Sequence, residues 1–175
     1  MEKQQVKKST QLTTDNFRIQ AVILEYEDCK LLLINTYFSC DSQKLVLTDL
    51  ESSELQNLLH EISSRKAMSS KKFDTAITLG DLNFDNNRFT GHTQAVTNFL
   101  EAKRLCSVWN YNPVDFTFPC GSSLSTIDHF LISKTQEYIV LEAGPIHDAE
   151  NVSGHSHIYL KIDLAKANNP PKKIT

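Results

Sequence analysis

The chain has 175 residues, of which 40% are apolar and 22% are charged, a composition typical of one globular domain. The formal net charge of −3 does not favour a strongly basic nucleic-acid-binding surface. The apolar runs are too short to span a bilayer and residues 1–8 are polar, so we expect no membrane partner and an intracellular location, cytoplasmic or nuclear. The widely spaced cysteines favour reduced thiols: Cys29, Cys40, Cys106 and Cys120.

The first part of the chain predicts an arm followed by a β-hairpin. Residues 1–16 are polar and predict a flexible arm ahead of a folded segment, 17–164. Two runs rich in Val, Ile, Leu and Tyr, 17–26 and 30–37, flank the polar residues 27–29. This pattern predicts two adjacent antiparallel strands with a short turn.

Two segments show helical spacing of apolar side chains. The first predicts a helix from about Ser53 to Arg65, with Ser53 and Gln56 in capping-box register. The second predicts a helix from Thr93 to about Leu105, capped by Thr93. The side chains predicted to share a face are Leu55, Leu58, Leu59 and Ile62 in the first helix, and Val96, Phe99, Leu100 and Lys103 in the second.

The remaining β-rich runs complete an α/β (α+β) fold. A strand from Asp74 to Leu79 stops at Gly80 and delivers Asp81 at its carboxyl end. Further short strands are predicted at 107–109, 115–118, 126–132, 139–142 and 157–164. Residues 165–175 contain Pro170-Pro171 and predict a disordered tail. We therefore expect a mostly antiparallel sheet with helices on one face and no obvious cover on the other.

The segment Gly80-Asp81-Leu82-Asn83 follows a strand, where functional groups are commonly presented. Asp81 could accept a proton from an attacking water, and Asn83 could donate a hydrogen bond to a phosphate oxygen. In the tetrapeptide alone, a turn whose side chains satisfy backbone groups is the favoured interpretation.

A carboxylate inside an apolar strand and a later histidine form the second candidate pair. Asp128 lies within the run 126–132, and a buried carboxylate needs a partner. His155 would be that partner, since a carboxylate bonded to one ring nitrogen fixes the tautomer of the imidazole. The alternatives are that Asp128 faces solvent and that His155 is structural or solvated.

Five segments in order resemble the endonuclease/exonuclease/phosphatase superfamily, and most resemble the apurinic-type endonuclease domains of LINE-type retrotransposons. The resemblance covers residues 17–164, and its specificity lies in the order of the segments. The segments are Asn35-Thr36-Tyr37, Gly80-Asp81-Leu82-Asn83, Asp115-Phe116-Thr117-Phe118, Ser125-Thr126-Ile127-Asp128-His129 and Ser153-Gly154-His155.

The resemblance implies a Mg²⁺-dependent nuclease site that acts on DNA. Tyr37 would contact the scissile phosphate, Asp81 would activate the water and bind metal weakly, and Asn83 would bind a phosphate oxygen. Asp128 would orient His155, which would stabilise charge on the phosphorane. The implied substrate contacts are Tyr37, Asn83, Thr117 and Ser125.

The resemblance also implies missing parts. The family fold is a four-layered α/β sandwich whose first half supplies an early Asn and a metal-binding Glu, whereas only 34 residues precede Asn35 here. The family motif Ser-Asp-His has Gly154 at its Asp position. We therefore expect a C-terminal half-domain with weak Mg²⁺ binding. Its open sheet face would favour self-association or pairing with a separately encoded first half.

Three hypotheses follow. The first is a truncated metal-dependent phosphodiesterase, a DNA endonuclease with impaired activity. The second is a non-catalytic binding or interaction protein derived from the same fold. The third is a zinc site formed by His155 and His157 together with His147 or Asp148.

Overall fold

The computed structural model describes residues 5–13, 16–39, 49–69 and 73–167, which form ten strands, two α-helices and three short 3₁₀ helices. The strands are β1 (Lys8–Leu12), β2 (Ile19–Glu25), β3 (Lys30–Thr36), β4 (Thr75–Asp81), β5 (Leu105–Ser107), β6 (Phe118–Cys120), β7 (Ser123–Ser125), β8 (Asp128–Ser133), β9 (Val140–Ile146) and β10 (His157–Ile162). The helices are α1 (Asp49–Ser69) and α2 (Gly91–Ala102), and the 3₁₀ helices are Val108–Asn110, Glu137–Ile139 and Leu164–Lys166.

Six strands form the main sheet in the order β1-β2-β3-β4-β8-β5. Strands β3 and β4 are parallel, and the other neighbours in this sheet are antiparallel. Two small antiparallel pairs, β6–β7 and β9–β10, stand beside it. The predicted α+β fold with a mostly antiparallel sheet is confirmed, as is the hairpin β2–β3.

Both helices pack on the same face of the sheet, which we call the helix-covered face. The predicted apolar stripe of α1 is buried there together with Val96 and Leu100 of α2. The sheet contributes alternate residues such as Leu32 and Ile34, because successive side chains of a strand point to opposite faces. The predicted placement of the helices on one face is therefore confirmed. Lys103, which was predicted to share the face of α2, is exposed.

The opposite face, which we call the cleft face, is partly covered, which corrects the expectation that it has no cover. A second apolar cluster joins Leu31, Ile77 and Ile132 of the sheet to the β9–β10 hairpin and the 3₁₀ helix Leu164–Lys166. Between the sheet and the hairpin lies a cleft of about 1150 Å³. Most of its lining is apolar, including Leu33 and Leu160.

The segment predicted to be a flexible arm contains a strand. Residues Lys8–Leu12 form β1 and pair with β2, with Lys8 opposite Glu25. The prediction was wrong here because this strand is held by backbone pairing and its side chains are mostly exposed, so it carries no apolar pattern. The predicted tail begins in the 3₁₀ helix Leu164–Lys166, and its residues 168–175 lie outside the described part of the chain.

Both predicted helix starts were misplaced. Helix α1 begins at Asp49, so Ser53 lies inside it. Helix α2 begins at Gly91, because the side chain of Thr90 accepts a hydrogen bond from the backbone N–H of Thr93. Thr93 therefore donates to the cap and does not supply it. The sequence could not distinguish the two, because both threonines, three positions apart, are suited to capping.

The short strands also differ in their bounds. The strand predicted at 107–109 is β5 followed by the 3₁₀ helix Val108–Asn110, and the strand predicted at 115–118 starts only at Phe118. Strand β7 was not predicted, because its three residues are too few to show alternation. Across the described segments, the structure contains no helix of sufficient length and apolarity to span a bilayer.

Candidate active site

The site lies at the edge where the parallel strands β3 and β4 end. Tyr37 follows β3 and Asp81 ends β4. Gly80 makes this arrangement possible: its φ is +131°, and a Cβ atom there would lie 2.0 Å from the carbonyl oxygen of Thr36. Only glycine adopts this conformation at such a close approach of two backbones.

The turn after β4 uses both of its polar side chains. Asp81 Oδ1 accepts a hydrogen bond from the backbone N–H of Asn83 at 3.0 Å. Asn83 has a positive φ of 48°, and its Nδ2 donates to the carbonyl of Phe38 at 2.7 Å. The interpretation as a turn whose side chains satisfy backbone groups is therefore correct for one carboxylate oxygen of Asp81 and one amide hydrogen of Asn83. The second oxygen of Asp81 faces another residue.

That other residue is His155, which is hydrogen-bonded to Asp128. His155 Nδ1 lies 2.9 Å and 3.1 Å from the two carboxylate oxygens of Asp128. Since a carboxylate only accepts, we assign the Nδ1 proton to this bond, which leaves Nε2 facing Asp81 Oδ2 at 3.9 Å. The Asp128 side chain is only 13% exposed, so the alternative that it faces solvent is wrong.

Burial raises the pKa of Asp81 to about 6, against the lowering effect of its hydrogen bond from Asn83. The Asp128 carboxylate raises it further, since the two residues are directly paired across β4 and β8, while His155 acts in the opposite direction. Asp81 is therefore readily protonated for a carboxyl group. A cation near these carboxylates would favour its charged form.

Thr117 supports this pair from beneath. It is 0% exposed, and its Oγ1 accepts hydrogen bonds from the backbone N–H groups of Ile127 and Asp128 at 3.0 Å and 3.1 Å. The next residue, Phe118, places its ring centroid 4.6 Å from that of His155. Thr117 thus lies below the site, with no exposed surface toward a substrate.

The other two residues predicted to contact substrate lie in different surroundings. Tyr37 is 47% exposed at the strand edge, beside the turn that carries Arg18. Ser125 is buried, and its Oγ is hydrogen-bonded by the guanidinium of Arg88. The structure therefore brings Asp81, Asp128 and His155 together, with Asn83 two residues after Asp81, and places Ser125 in contact with Arg88.

His129, the histidine that follows Asp128 in the chain, has a structural role. His129 is 2% exposed, its Nε2 faces the carbonyl oxygens of Phe84 and Thr126, and its Nδ1 bonds Ser107 Oγ at 2.9 Å. Burial lowers its pKa to about 4. A neutral imidazole with Nε2–H donating and Nδ1 accepting satisfies these partners.

One group of potential metal ligands is present in residues 5–13, 16–39, 49–69 and 73–167: Asp81, Asp128 and His155, with ligand atoms within 4.8 Å of one another. The hypothesis of a zinc site at His155, His157 and His147 or Asp148 is therefore wrong. His157 and Asp148 are exposed, and His147 is bonded to Asp115 and Ser156. His155 precedes β10, which begins at His157, so the strand alternation on which this hypothesis depended does not apply to the pair.

The sequence did not identify two contributors to this region. Phe118 packs against His155, and His147 links the segment before Phe118 to the residue after His155. The Thr-Phe pair was visible as a motif, so an aromatic residue near the site was open to prediction. Asp115 and His147 are 32 residues apart in the chain, so their contact leaves no local signal in the sequence.

Solved structures similar to this chain include endonucleases and a 3′ phosphatase. The 3′ phosphatase NExo from Neisseria, solved with a product DNA hairpin, matches with TM-score 0.62 and 12% identity over 91% of this chain and 72% of its own. AP endonuclease LMAP from Leishmania major matches with TM-score 0.67 and 14% identity over 84% and 55%. The endonuclease domain of TRAS1, a telomere-specific non-LTR retrotransposon, matches with TM-score 0.66 and 16% identity over 89% and 68%.

At 12% to 16% identity, these three matches show that the chain shares its fold with them. The resemblance expected from the order of the motifs is thus confirmed at the level of the fold. No protein-family profile and no curated protein sequence matches the chain. The chain spans 55% to 72% of the lengths of the three solved structures described above.

Proposed function

We propose that this chain carries the Asp-His part of a divalent-metal-dependent phosphodiesterase site that acts on DNA. The observation that supports this function best is the group Asp81, Asp128 and His155, in which a buried carboxylate orients an imidazole toward a second carboxylate. Nothing in an ordinary turn requires three ionisable groups to converge at one strand edge, where burying charge is unfavourable.

The donor set fits a divalent cation. Two carboxylates would hold Mg²⁺, which commonly binds one or two protein carboxylates and completes its shell with water and phosphate oxygens. When bound, the metal would neutralise charge on the phosphate and polarise it.

The side chains themselves have defined roles in this proposal. Asp81 would position the attacking water or accept its proton through Oδ2, which faces His155 Nε2 at 3.9 Å. Asn83 uses one amide hydrogen for Phe38 and has a second for a phosphate oxygen. His155, oriented by Asp128, would donate a hydrogen bond from Nε2 to the negative charge that develops on the phosphate oxygens, a role that requires the doubly protonated imidazolium.

The surface beside the site suits a nucleic acid. Phe17 is 89% exposed in the turn before β2, Arg18 lies 5.5 Å from its ring centroid, and the backbone of Arg18 bonds that of Tyr37. Exposed aromatic rings stack on bases, and an adjacent guanidinium contacts phosphates. The DNA hairpin held by the Neisseria phosphatase supports the same substrate class.

We propose that activity is impaired when the chain is alone. The resemblance to LINE-type nucleases places an Asp at the position of Gly154, and it places a further metal-binding Glu in a first half-domain. Without that Asp and that Glu, Mg²⁺ binding should be weak, since Asp81 and Asp128 are the carboxylates of this group in the described part of the chain. A first half-domain packed on the cleft face would supply the remaining ligands.

A cleavage assay tests the proposal. Purified protein is incubated with Mg²⁺ and either supercoiled plasmid or an oligonucleotide with one abasic site, next to Asp81→Asn, His155→Ala and the control His157→Ala. We expect slow nicking that both site variants lose and the control retains. Wild-type cleavage no faster than that of His155→Ala would contradict a catalytic function of the isolated chain.

A second function, binding without catalysis, is supported by the cleft face. The apolar cleft of about 1150 Å³ has the size and lining of a docking groove. If this function holds, DNA cleavage will be absent and the protein will associate through the cleft. Sedimentation velocity of wild type, Leu160→Lys in the cleft and Leu124→Lys at an exposed position outside it would show association lost only in the first variant.

A further inference from the structure

The loop that carries His155 is anchored by a second histidine. His147 follows β9, and Ser156 precedes β10, so residues 147–156 connect the two strands. His147 Nε2 lies 3.1 Å from Asp115 Oδ1, and its Nδ1 lies 2.8 Å from Ser156 Oγ. Because the carboxylate only accepts, Nε2 carries the proton and donates to Asp115, and Nδ1 accepts from the Ser156 hydroxyl.

Two further contacts hold the same part of the loop. The ring of Phe116 stacks on His147 with centroids 4.3 Å apart and an interplanar angle of 26°. The backbone N–H of Ser156 donates to the carbonyl of Thr117 at 2.7 Å. The residue that follows His155 is therefore fixed to segment 115–117 through its backbone and its side chain.

The same segment also fixes Asp128. Thr117 Oγ1 accepts a hydrogen bond from the backbone N–H of Asp128, so segment 115–117 is bonded both to Asp128 and to Ser156, the residue that follows His155. Apart from the contacts of His147, His155 and Ser156 just described, the hydrogen bonds of this loop in the described part of the chain join loop residues to one another. The distance between His155 and Asp128 therefore depends on a small number of anchors.

We propose that His147 is a positioning residue, which joins Asp115 to Ser156 and thereby holds His155 within hydrogen-bonding distance of Asp128. This inference rests on the proposed phosphodiesterase function, for which His155 must keep its orientation. His147 itself touches no reacting atom. Its effect is on the fraction of molecules in which the Asp128–His155 hydrogen bond is formed.

The test observes that hydrogen bond directly by NMR of uniformly ¹⁵N-labelled protein, which has six histidines and a single tryptophan. The signal is the Nδ1 proton of His155, and the exchange rate of the Ser156 amide reports whether the loop is docked. The variants are His147→Ala, His147→Gln, which can donate to Asp115 and accept from Ser156, and the control His157→Ala. His157 is an exposed histidine of the same hairpin.

We expect at least a tenfold faster exchange of the His155 Nδ1 proton and the Ser156 amide in His147→Ala. His147→Gln should recover part of the protection, and His157→Ala should stay within about twofold of wild type. The indole N–H of Trp109 donates to the carbonyl of Asp128, so its unchanged signal shows that the fold and the Asp128 side of the pair are intact.

Wild-type protection of both protons in His147→Ala would overturn the proposal, as would equal loss in His157→Ala. If His147→Ala loses the Trp109 signal, Ser156→Ala decides, because it removes the same hydrogen bond and keeps the imidazole; unchanged protection of the His155 proton there refutes the proposal. The measurement needs neither metal nor DNA, so its outcome is separate from that of the cleavage assay.

Discussion

The helix-covered face and the cleft face of the sheet are built from neighbouring residues of the same strands, yet they are closed to different degrees. Leu32 is completely buried under the helices, whereas Leu33, the next residue, points into the cleft and is only partly buried. The first face is a packed core, and the second keeps an apolar cleft of about 1150 Å³ beside a two-stranded hairpin.

This difference suggests how stability and function are divided. The strands that carry Asp81 and Asp128 are fixed by the helix-covered face, so the site has a rigid base without further partners. The cleft face leaves apolar surface exposed to water, which is unfavourable for an isolated chain. Association through the cleft face would therefore add stability without rebuilding the site.

The largest expected effect is the difference in the loss of stability between Leu32→Ala and Leu33→Ala. We expect the first to lower the free energy of unfolding by about 2–5 kcal/mol, because it leaves a cavity in a closed core. The second should lower it by about 1 kcal/mol or less, since water already reaches part of that side chain. Urea unfolding followed by Trp109 fluorescence measures both. Equal losses at low protein concentration would show that the cleft is closed in solution.

The second effect concerns His129, which stacks on Phe84 of the helix-covered face. Its pKa is lowered to about 4 in the folded state, so the unfolded chain takes up the proton more readily. The neutral His129 side chain therefore contributes about 3 kcal/mol to the free energy of unfolding above about pH 6.5. This contribution is lost as the pH falls toward 4. Urea unfolding between pH 7.5 and 4.5 should show this loss in wild type. His129→Gln should not show this loss. If the free energies of unfolding of wild type and His129→Gln fall in parallel with pH, the loss does not come from His129.

A smaller effect is expected at the edge of the sheet. The folded-state pKa of Asp81 is raised to about 6, so the charged carboxylate opposes folding above that pH, and this opposition disappears as the pH falls below the ordinary value near 4. Asp81→Asn should therefore stabilise the protein by about 1 kcal/mol at pH 8 and not at pH 3.5. Calorimetric titration should show that it also loses Mg²⁺ binding. Equal stabilisation at both pH values would argue against a raised pKa.

The smallest expected effect is that of Gly154→Asp. A Cβ at this position would lie 3.0 Å from the ring of Phe118, so the ring must move slightly to admit the carboxylate. Because other proposed metal ligands would still be missing, we expect this change alone to leave DNA nicking no faster than in wild type. Gly154→Ser is the control for size without charge. Markedly faster cleavage by Gly154→Asp in isolation would show that no further half-domain is needed, and co-expression with a first half tests the converse.

The parts of the fold predicted best are those with an apolar pattern of their own. The β2–β3 hairpin and the buried stripe of α1 follow from alternation and from helical spacing. Strand β1 was missed because its polar side chains are exposed and only its backbone pairs with β2. The start of α2 was misplaced because Thr90 and Thr93 are equally good caps by sequence, and only the backbone conformation selects one.

The residues of the candidate site also divide into those whose roles the sequence predicted and those whose roles it did not. The order of its motifs predicted that Asp128 and His155 would meet, although 27 residues separate them. Thr117 was expected at the substrate and instead lies buried below the pair. Its role depends on which backbone groups surround it, which a motif does not encode.

The sequence by itself determined the class of fold, the two chemical groups that meet at the strand edge, and the place of each in the chain. These follow from local patterns and from the order of short motifs. Only the tertiary structure decided how far each face of the sheet is covered and which side chains support His155. Those properties depend on contacts between distant segments, such as that of His147 with Asp115, and such contacts leave no periodicity along the chain.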